Sequence, residues 1–255
     1  MSSAAGHNTV TDGLVLCLDA TDIRSYAGSG TVWYDRSGNK RNFTLNNPSY
    51  YSFNPANGGS IGFTRTMPPV AEIGGYAEHA GSGALAAATY LYNNHTTEIW
   101  AKINDRTATN YNGQETASAL FVYRGTHSMF YYGQTSLSYV IYNGGGGLVN
   151  WTTLSLGTSG TDIIQGQWFQ AVAVRSGNNI SSYINGILKG TKVIDTSGGV
   201  GSVTNTIRMG MASPTDEGYS WHANANVSTA KMYNRDLSQA EVLQNYNSTK
   251  SRYML

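Results

Sequence analysis

Gln167-Trp168-Phe169-Gln170-Ala171-Val172-Ala173-Val174-Arg175-Ser176-Gly177-Asn178-Asn179-Ile180-Ser181-Ser182-Tyr183-Ile184-Asn185-Gly186-Ile187-Leu188-Lys189-Gly190-Thr191-Lys192-Val193 decides the architecture. Trp168 to Val174 is a continuous apolar run, short enough for a strand and bounded by turn residues. Ser176 to Asn179 forms the turn, and Ile180 to Ile184 is the return strand. Asn185-Gly186 then marks a type I′ hairpin, since both positions of that turn need a positive φ. Ile187 to Val193 completes three consecutive antiparallel strands.

Shorter pieces of the same kind flank this meander. Gly13 and Asp19 bound Leu14-Val15-Leu16-Cys17-Leu18, a strand buried on both sides. Strands are also expected at Thr31–Tyr34, Asn42–Leu45, Ser60–Phe63, Ile207–Met211 and Val227–Tyr233, separated by Gly, Asn, Ser and Pro turns. One helix is well signalled near the end. Ser238-Gln239-Ala240-Glu241 is a capping box, and Leu237 and Val242 occupy the positions of a hydrophobic staple. Leu243 and Tyr246 extend its apolar stripe for about two turns. Three polar segments, Asn104–Ser118, Asn143–Asn150 and Ala212–Asn226, lack strand character and read as loops, where binding usually sits. The expected fold is therefore all-β: a two-sheet antiparallel jelly-roll sandwich with one short C-terminal helix. Residues 1–12 form an N-terminal arm and 13–255 a single domain.

Composition narrows the function. Charged residues make up 12% of the 255, about half the usual ~25%, so the surface is polar but mostly uncharged. Sixteen Lys and Arg against fifteen Asp and Glu leave no basic excess to neutralise phosphates, which argues against a nucleic-acid partner. No stretch approaches the ~20 apolar residues of a membrane span. The N-terminal residues show no signal-peptide pattern. Cys17 is the single cysteine, so neither a disulfide framework nor a cysteine-rich zinc site is open to this chain.

The order of motifs resembles LamG-like, concanavalin A-like lectin/glucanase jelly rolls. Gly13 to Ala20, Trp33-Tyr34-Asp35-Arg36-Ser37-Gly38-Asn39 and Gly58 to Phe63 match the opening. Thr97-Glu98-Ile99-Trp100-Ala101-Lys102, Gly166 to Ala173 and Tyr183 to Gly186 match the middle, and Met232 to Val242 matches the closing strand and helical turn. Asn245-Tyr246-Asn247-Ser248-Thr249-Lys250 is similar to the version carried on tailed-phage structural proteins. The resemblance implies a non-enzymatic capsid decoration or fibre component, made in the host cytoplasm and displayed on the virion surface. Its implied partners are other virion proteins, copies of itself and a host-surface glycan. A stand-alone carbohydrate-binding module is the alternative, and a glycoside hydrolase comes third.

Chemistry has few candidates. Glucanases of the resembled superfamily set two carboxylates on one strand, across the scissile bond. Here Trp100 takes the place of the central acid in Glu98-Ile99-Trp100-Ala101-Lys102, leaving one carboxylate where acid–base work needs two positioned groups. Gly58-Gly59-Ser60-Ile61-Gly62 matches a nucleophile elbow but precedes no helical pattern, so it reads as a Gly-rich turn into a strand. The five histidines show no zinc spacing. Asp35 and Asn39 alternate oxygens as calcium loops do, yet no bidentate Glu completes the set. An Asx-type turn is the preferred reading there, with calcium open and no other cofactor expected.

For ligand contact, aromatic rings beside amides in polar loops are the natural candidates. These are Tyr219, Trp221, His222 and Asn224 in one loop, and Tyr111 and Asn112 in the other. The bland reading of Trp221 is a ring that covers the sandwich edge. In the arm, Asn8 and Val10 are the candidates for assembly contacts, with Val10 the only large aliphatic anchor. Twelve extended residues reach about 40 Å, enough to cross onto an adjacent subunit.

Overall fold

The computed structural model describes residues 8–66, 73–80, 94–105, 117–123, 127–132, 136–143, 150–158, 160–194, 206–212 and 221–255. In chain order the strands are β1 (Leu14–Asp19), β2 (Val32–Trp33), β3 (Phe43–Asn46), β4 (Tyr51–Asn54) and β5 (Ser60–Phe63). Then come β6 (Tyr76–Ala80), β7 (His95–Ile103), β8 (Ala117–Tyr123), β9 (His127–Tyr132), β10 (Ser136–Asn143) and β11 (Asn150–Thr158). The last five are β12 (Trp168–Ser176), β13 (Asn179–Ile184), β14 (Ile187–Val193), β15 (Thr206–Met209) and β16 (Ala225–Tyr233). Helix α1 (Gln239–Thr249) follows and runs into a 3-10 turn at Lys250–Tyr253.

Two eight-stranded sheets result. The first has the order β14-β13-β12-β7-β16-β5-β4, with β1 also paired to β16; the second runs β11-β10-β9-β8-β15-β6-β3-β2. Among the described residues every pairing is antiparallel, as in a jelly roll. The β12-β13-β14 meander forms where the sequence places it, and Asn185 (φ 52) and Gly186 (φ 76) make its hairpin turn. A shift of register between Val227 and Thr229 bends β16, so one side of it pairs with β5 early and β1 late. Alternation on the central strands then sorts the side chains. Ile99, Ala101, Ala171, Ala173, Ala230 and Met232 fill the space between the sheets.

The outer face of the first sheet is also covered, by α1 and the chain ends. Ser238 and Glu241 form the expected capping box, the Ser Oγ accepting from the Glu241 amide and the carboxylate accepting from the Ser238 amide. Leu237 and Val242 are both buried against Val172, Val174 and Tyr233. Three expectations change here. The helix is longer than two turns, because Asn245 and Thr249 also face inward and are buried. Leu243 is 44% exposed and lies off the buried stripe. Ala117, Ser118, Asn143, Asn150, Ala225 and Asn226, read as loop, belong to β8, β10, β11 and β16, where small or polar side chains masked the ladder.

Residues 8–12, expected to reach onto an adjacent subunit, dock on this chain's own surface. Val10 is buried on this chain's own α1 and β12, its amide donating to Asn245 Oδ1 (2.8 Å) and its carbonyl accepting from the Tyr233 hydroxyl (3.1 Å). Gln244 Nε2 donates to the Asn8 carbonyl (2.7 Å). Val10 and Asn8 therefore make intramolecular contacts. The expected assembly contacts of residues 1–7 lie outside the described residues.

Candidate binding site

At one end of the sandwich, residues 221–224 bridge the two sheets. The Ala119 amide donates to the Trp221 carbonyl (3.0 Å), and the Ala223 amide to the carbonyl of Gly210 (2.9 Å), both on the second sheet. The Asn104 amide, at the end of β7 in the first sheet, donates to the Asn224 carbonyl (3.0 Å). Backbone bonding on both sides fixes this segment as firmly as a strand. Trp221 itself is half-buried, its ring on Ala119, Val122, Val140 and Ala212. Its φ of 46 places a bulky aromatic in the left-handed region, which such residues rarely occupy.

His222 points the other way. It is 3% exposed, with its ring beside Tyr76 (6.2 Å between centroids) and so close to Gly74 that a Cβ there would lie 2.7 Å from the imidazole. Arg65 Nη1 donates to the His222 carbonyl (2.6 Å). Burial, and then the Arg65 charge, lower the imidazole pKa to about 4. His222 was expected among the ligand contacts; it is an interior residue, neutral at physiological pH. Asn224 remains on the rim beside Asn104 and Asp105. Asn104 Nδ2 donates to Asn226 Oδ1 (2.7 Å), and Gln165 Nε2 to the Asn104 carbonyl (2.8 Å). Those amides were not singled out in the sequence, because Asn104, Gln165 and Asn226 come from three separate segments. Tyr111, Asn112 and Tyr219 lie outside the described residues.

Among the described residues, four protein donors meet the Asp35 carboxylate. Its Oδ1 accepts from the Cys17 and Ser37 amides (both 2.9 Å), and Oδ2 from Ser37 Oγ (2.8 Å) and the Arg41 amide (3.0 Å). Asn39 Nδ2 donates to the Val15 carbonyl (3.2 Å), so this loop has the geometry of an Asx-type turn. Among the described residues, no three His, Cys, Asp or Glu side chains converge as a metal site would need. Ser60, in the elbow-like stretch, is buried at the start of β5 and followed by strand, not helix.

The remaining carboxylate of interest, Glu98, sits on the outer face of the first sheet beneath α1. It is 0% exposed. Oε1 faces Lys231 Nζ (3.4 Å) and accepts from Gln170 Nε2 (3.1 Å), while Oε2 accepts from Asn245 Nδ2 (2.7 Å). Asn245 in turn donates to the Tyr233 hydroxyl (3.0 Å). A buried charge needs such pairing to be tolerated at all.

Residues 74–243, more than half of the chain, match the Laminin_G_3 family, described as concanavalin A-like lectin/glucanases superfamily. The chain belongs to this superfamily. Its fold is also that of the binding domain of botulinum neurotoxin DC in complex with rat synaptotagmin II, with 14% identity and a TM-score of 0.67 over 94% of this chain and 52% of that one. The same domain in complex with SialylT gives 14% identity and a TM-score of 0.68, again over 94% and 52%. A structure titled for the dependence of botulinum neurotoxin type C cell entry on two ganglioside molecules gives 15% and 0.66, over 94% and 52%. At these identities the likeness is one of fold, and the chain spans about half the length of those structures. No curated protein matches the chain. With both oxygens occupied beneath α1, Glu98 is closed to solvent, whereas acid–base work needs a group within reach of the substrate.

Proposed function

We propose that this superfamily member is a non-enzymatic, lectin-like binding module whose glycan site is the loop end around Trp221. The observation that carries the reading is the Trp221 backbone: a φ of 46 that glycine would adopt freely is instead held by a large aromatic. Such strain persists where a side chain has a task, and here the surrounding bonds over-determine the conformation. On the same segment, Asn224 is bonded to Asn104, which accepts from Gln165; these are neutral amides of the kind that hydrogen-bond sugar hydroxyls while an indole face stacks on the ring's C–H groups. Neighbours of the same fold are titled as binding domains, which supports recognition over catalysis without naming this chain's ligand. Calcium is no part of the proposal, since Asp35 is already filled by protein donors.

We further propose that the module is displayed on a tailed-phage virion, as capsid decoration or fibre. Support comes from the resemblance of Asn245 to Lys250, in the last turns of α1 and its end. A stand-alone carbohydrate-binding module would use the same site on a different carrier, and mass spectrometry of purified particles separates the two. For the site itself, a glycan array with the parent and Trp221→Ala is the test. Loss of a stacked anchor typically costs about 2 kcal/mol or more, so binding should weaken at least about 30-fold. An array signal unchanged in Trp221→Ala would remove this site from the account.

A further inference from the structure

On the outer face of the first sheet, Gln170 of β12 stands opposite Trp100 of β7, which stands opposite Thr229 of β16. Cross-strand partners project from the same face, and Trp168, two residues from Gln170, projects there too. All four carry a buried polar atom with no hydrogen-bond partner: Gln170 Oε1, Trp100 Nε1, Trp168 Nε1 and Thr229 Oγ1. Buried polar atoms are nearly always paired, so four unpaired ones side by side call for an explanation.

Two rings lie over the indoles: Tyr246 of α1 stacks on Trp100 at 5.8 Å, and Tyr253 of the C-terminal turn lies closer. Tyr253 stacks on Trp100 with centroids 4.2 Å apart and a 22° interplanar angle, and leans on Trp168 at 4.9 Å. Its hydroxyl donates to Ser228 Oγ (2.8 Å), on the residue next to Thr229. On either side of it Ser251, Arg252, Met254 and Leu255 are exposed. Beyond the Tyr253 ring, the turn is fastened to the rest of the sheet by Arg252 Nη1, which reaches Asp19 Oδ2 (3.2 Å) and Thr21 Oγ1 (2.8 Å) at the surface.

We propose that Trp100, Trp168, Gln170 and Thr229 form a second saccharide site, masked by Tyr253 acting as a self-ligand on a displaceable strap. A hexopyranose has the size of the phenol ring and apolar C–H faces for both indoles. Unlike the phenol, it also carries hydroxyls all round its edge, to accept from two indole N–H groups, donate to the Gln170 carbonyl and pair with the Thr229 hydroxyl. The site is therefore better matched to a neutral sugar than to the residue that fills it. This inference stands apart from the Trp221 reading, whose ring packs on the other sheet.

The test is tryptophan fluorescence of the full chain titrated with cellohexaose, mannohexaose and β-1,4-galactotetraose. Tyr253→Ser removes the self-ligand, and Arg252→Ala is a milder variant that loosens the strap without touching the core. Both should give a saturable emission shift with at least one probe. Adding Trp168→Phe should abolish it, while adding Trp221→Ala should leave it in place. If neither folded variant, checked by a cooperative melt, responds to any probe, the masked site does not exist. A response that survives Trp168→Phe also overturns it.

Discussion

Trp221 and His222 are neighbours in the chain and occupy opposite environments, one ring half-exposed on the second sheet and the other sealed against Gly74 and Tyr76. A polar, aromatic run in the sequence shows that something there contacts a ligand or an edge; it does not show which side each residue takes. For His222 the consequence is measurable. Its folded pKa, lowered by burial to about 4, lies below the ordinary value of about 6.5, so between those values the unfolded chain binds more protons. The stabilisation is complete above about pH 6.5 and is lost as the pH falls toward 4, a change approaching 3 kcal/mol for this group alone. Urea melts of the parent and His222→Gln across that window should show a shallower pH dependence in the variant. Equal slopes would mean that the imidazole is not sealed as described.

The helix and the N-terminal segment show what local pattern can and cannot convey. Capping box and staple were legible because Leu237, Ser238, Glu241 and Val242 lie within six consecutive residues. The docking of residues 8–12 was not, since the Val10 amide finds its acceptor on Asn245, 235 positions along the chain. Nothing in the sequence of either partner announces the other. Arg235 adds to this junction, bridging Glu241 (2.6 Å) and Asp12 (2.8 Å). Deleting residues 1–10 removes the burial of one valine and strips partners from the Asn245 amide and the Tyr233 hydroxyl, so stability should drop by roughly 3 kcal/mol. A urea-melt midpoint unchanged by the deletion would show that the segment does not dock.

The sandwich as a whole was readable from its turns and apolar runs, above all the β12-β13-β14 meander with its Asn185-Gly186 hairpin. The character of its faces was not. Glu98 on β7, Gln170 on β12, Lys231 on β16 and Asn245 on α1 converge from four distant segments, and only the strand order brings them together. In sequence, Glu98 is a lone acid of doubtful use; in the fold it is the centre of a closed polar network. The same strand order separates that network from the Trp221 end, where recognition is proposed. The molecule thus has a carboxylate closed off beneath α1 at Glu98 and an exposed recognition end at Trp221, and a single measurement probes the distinction. Incubation with a panel of bacterial surface polysaccharides and β-glucans, followed by affinity electrophoresis and chromatography of the released products, reads binding and turnover together. Retardation on at least one polymer, lost in Trp221→Ala, is expected, with no product from any. Product release that disappears in Glu98→Gln would contradict it.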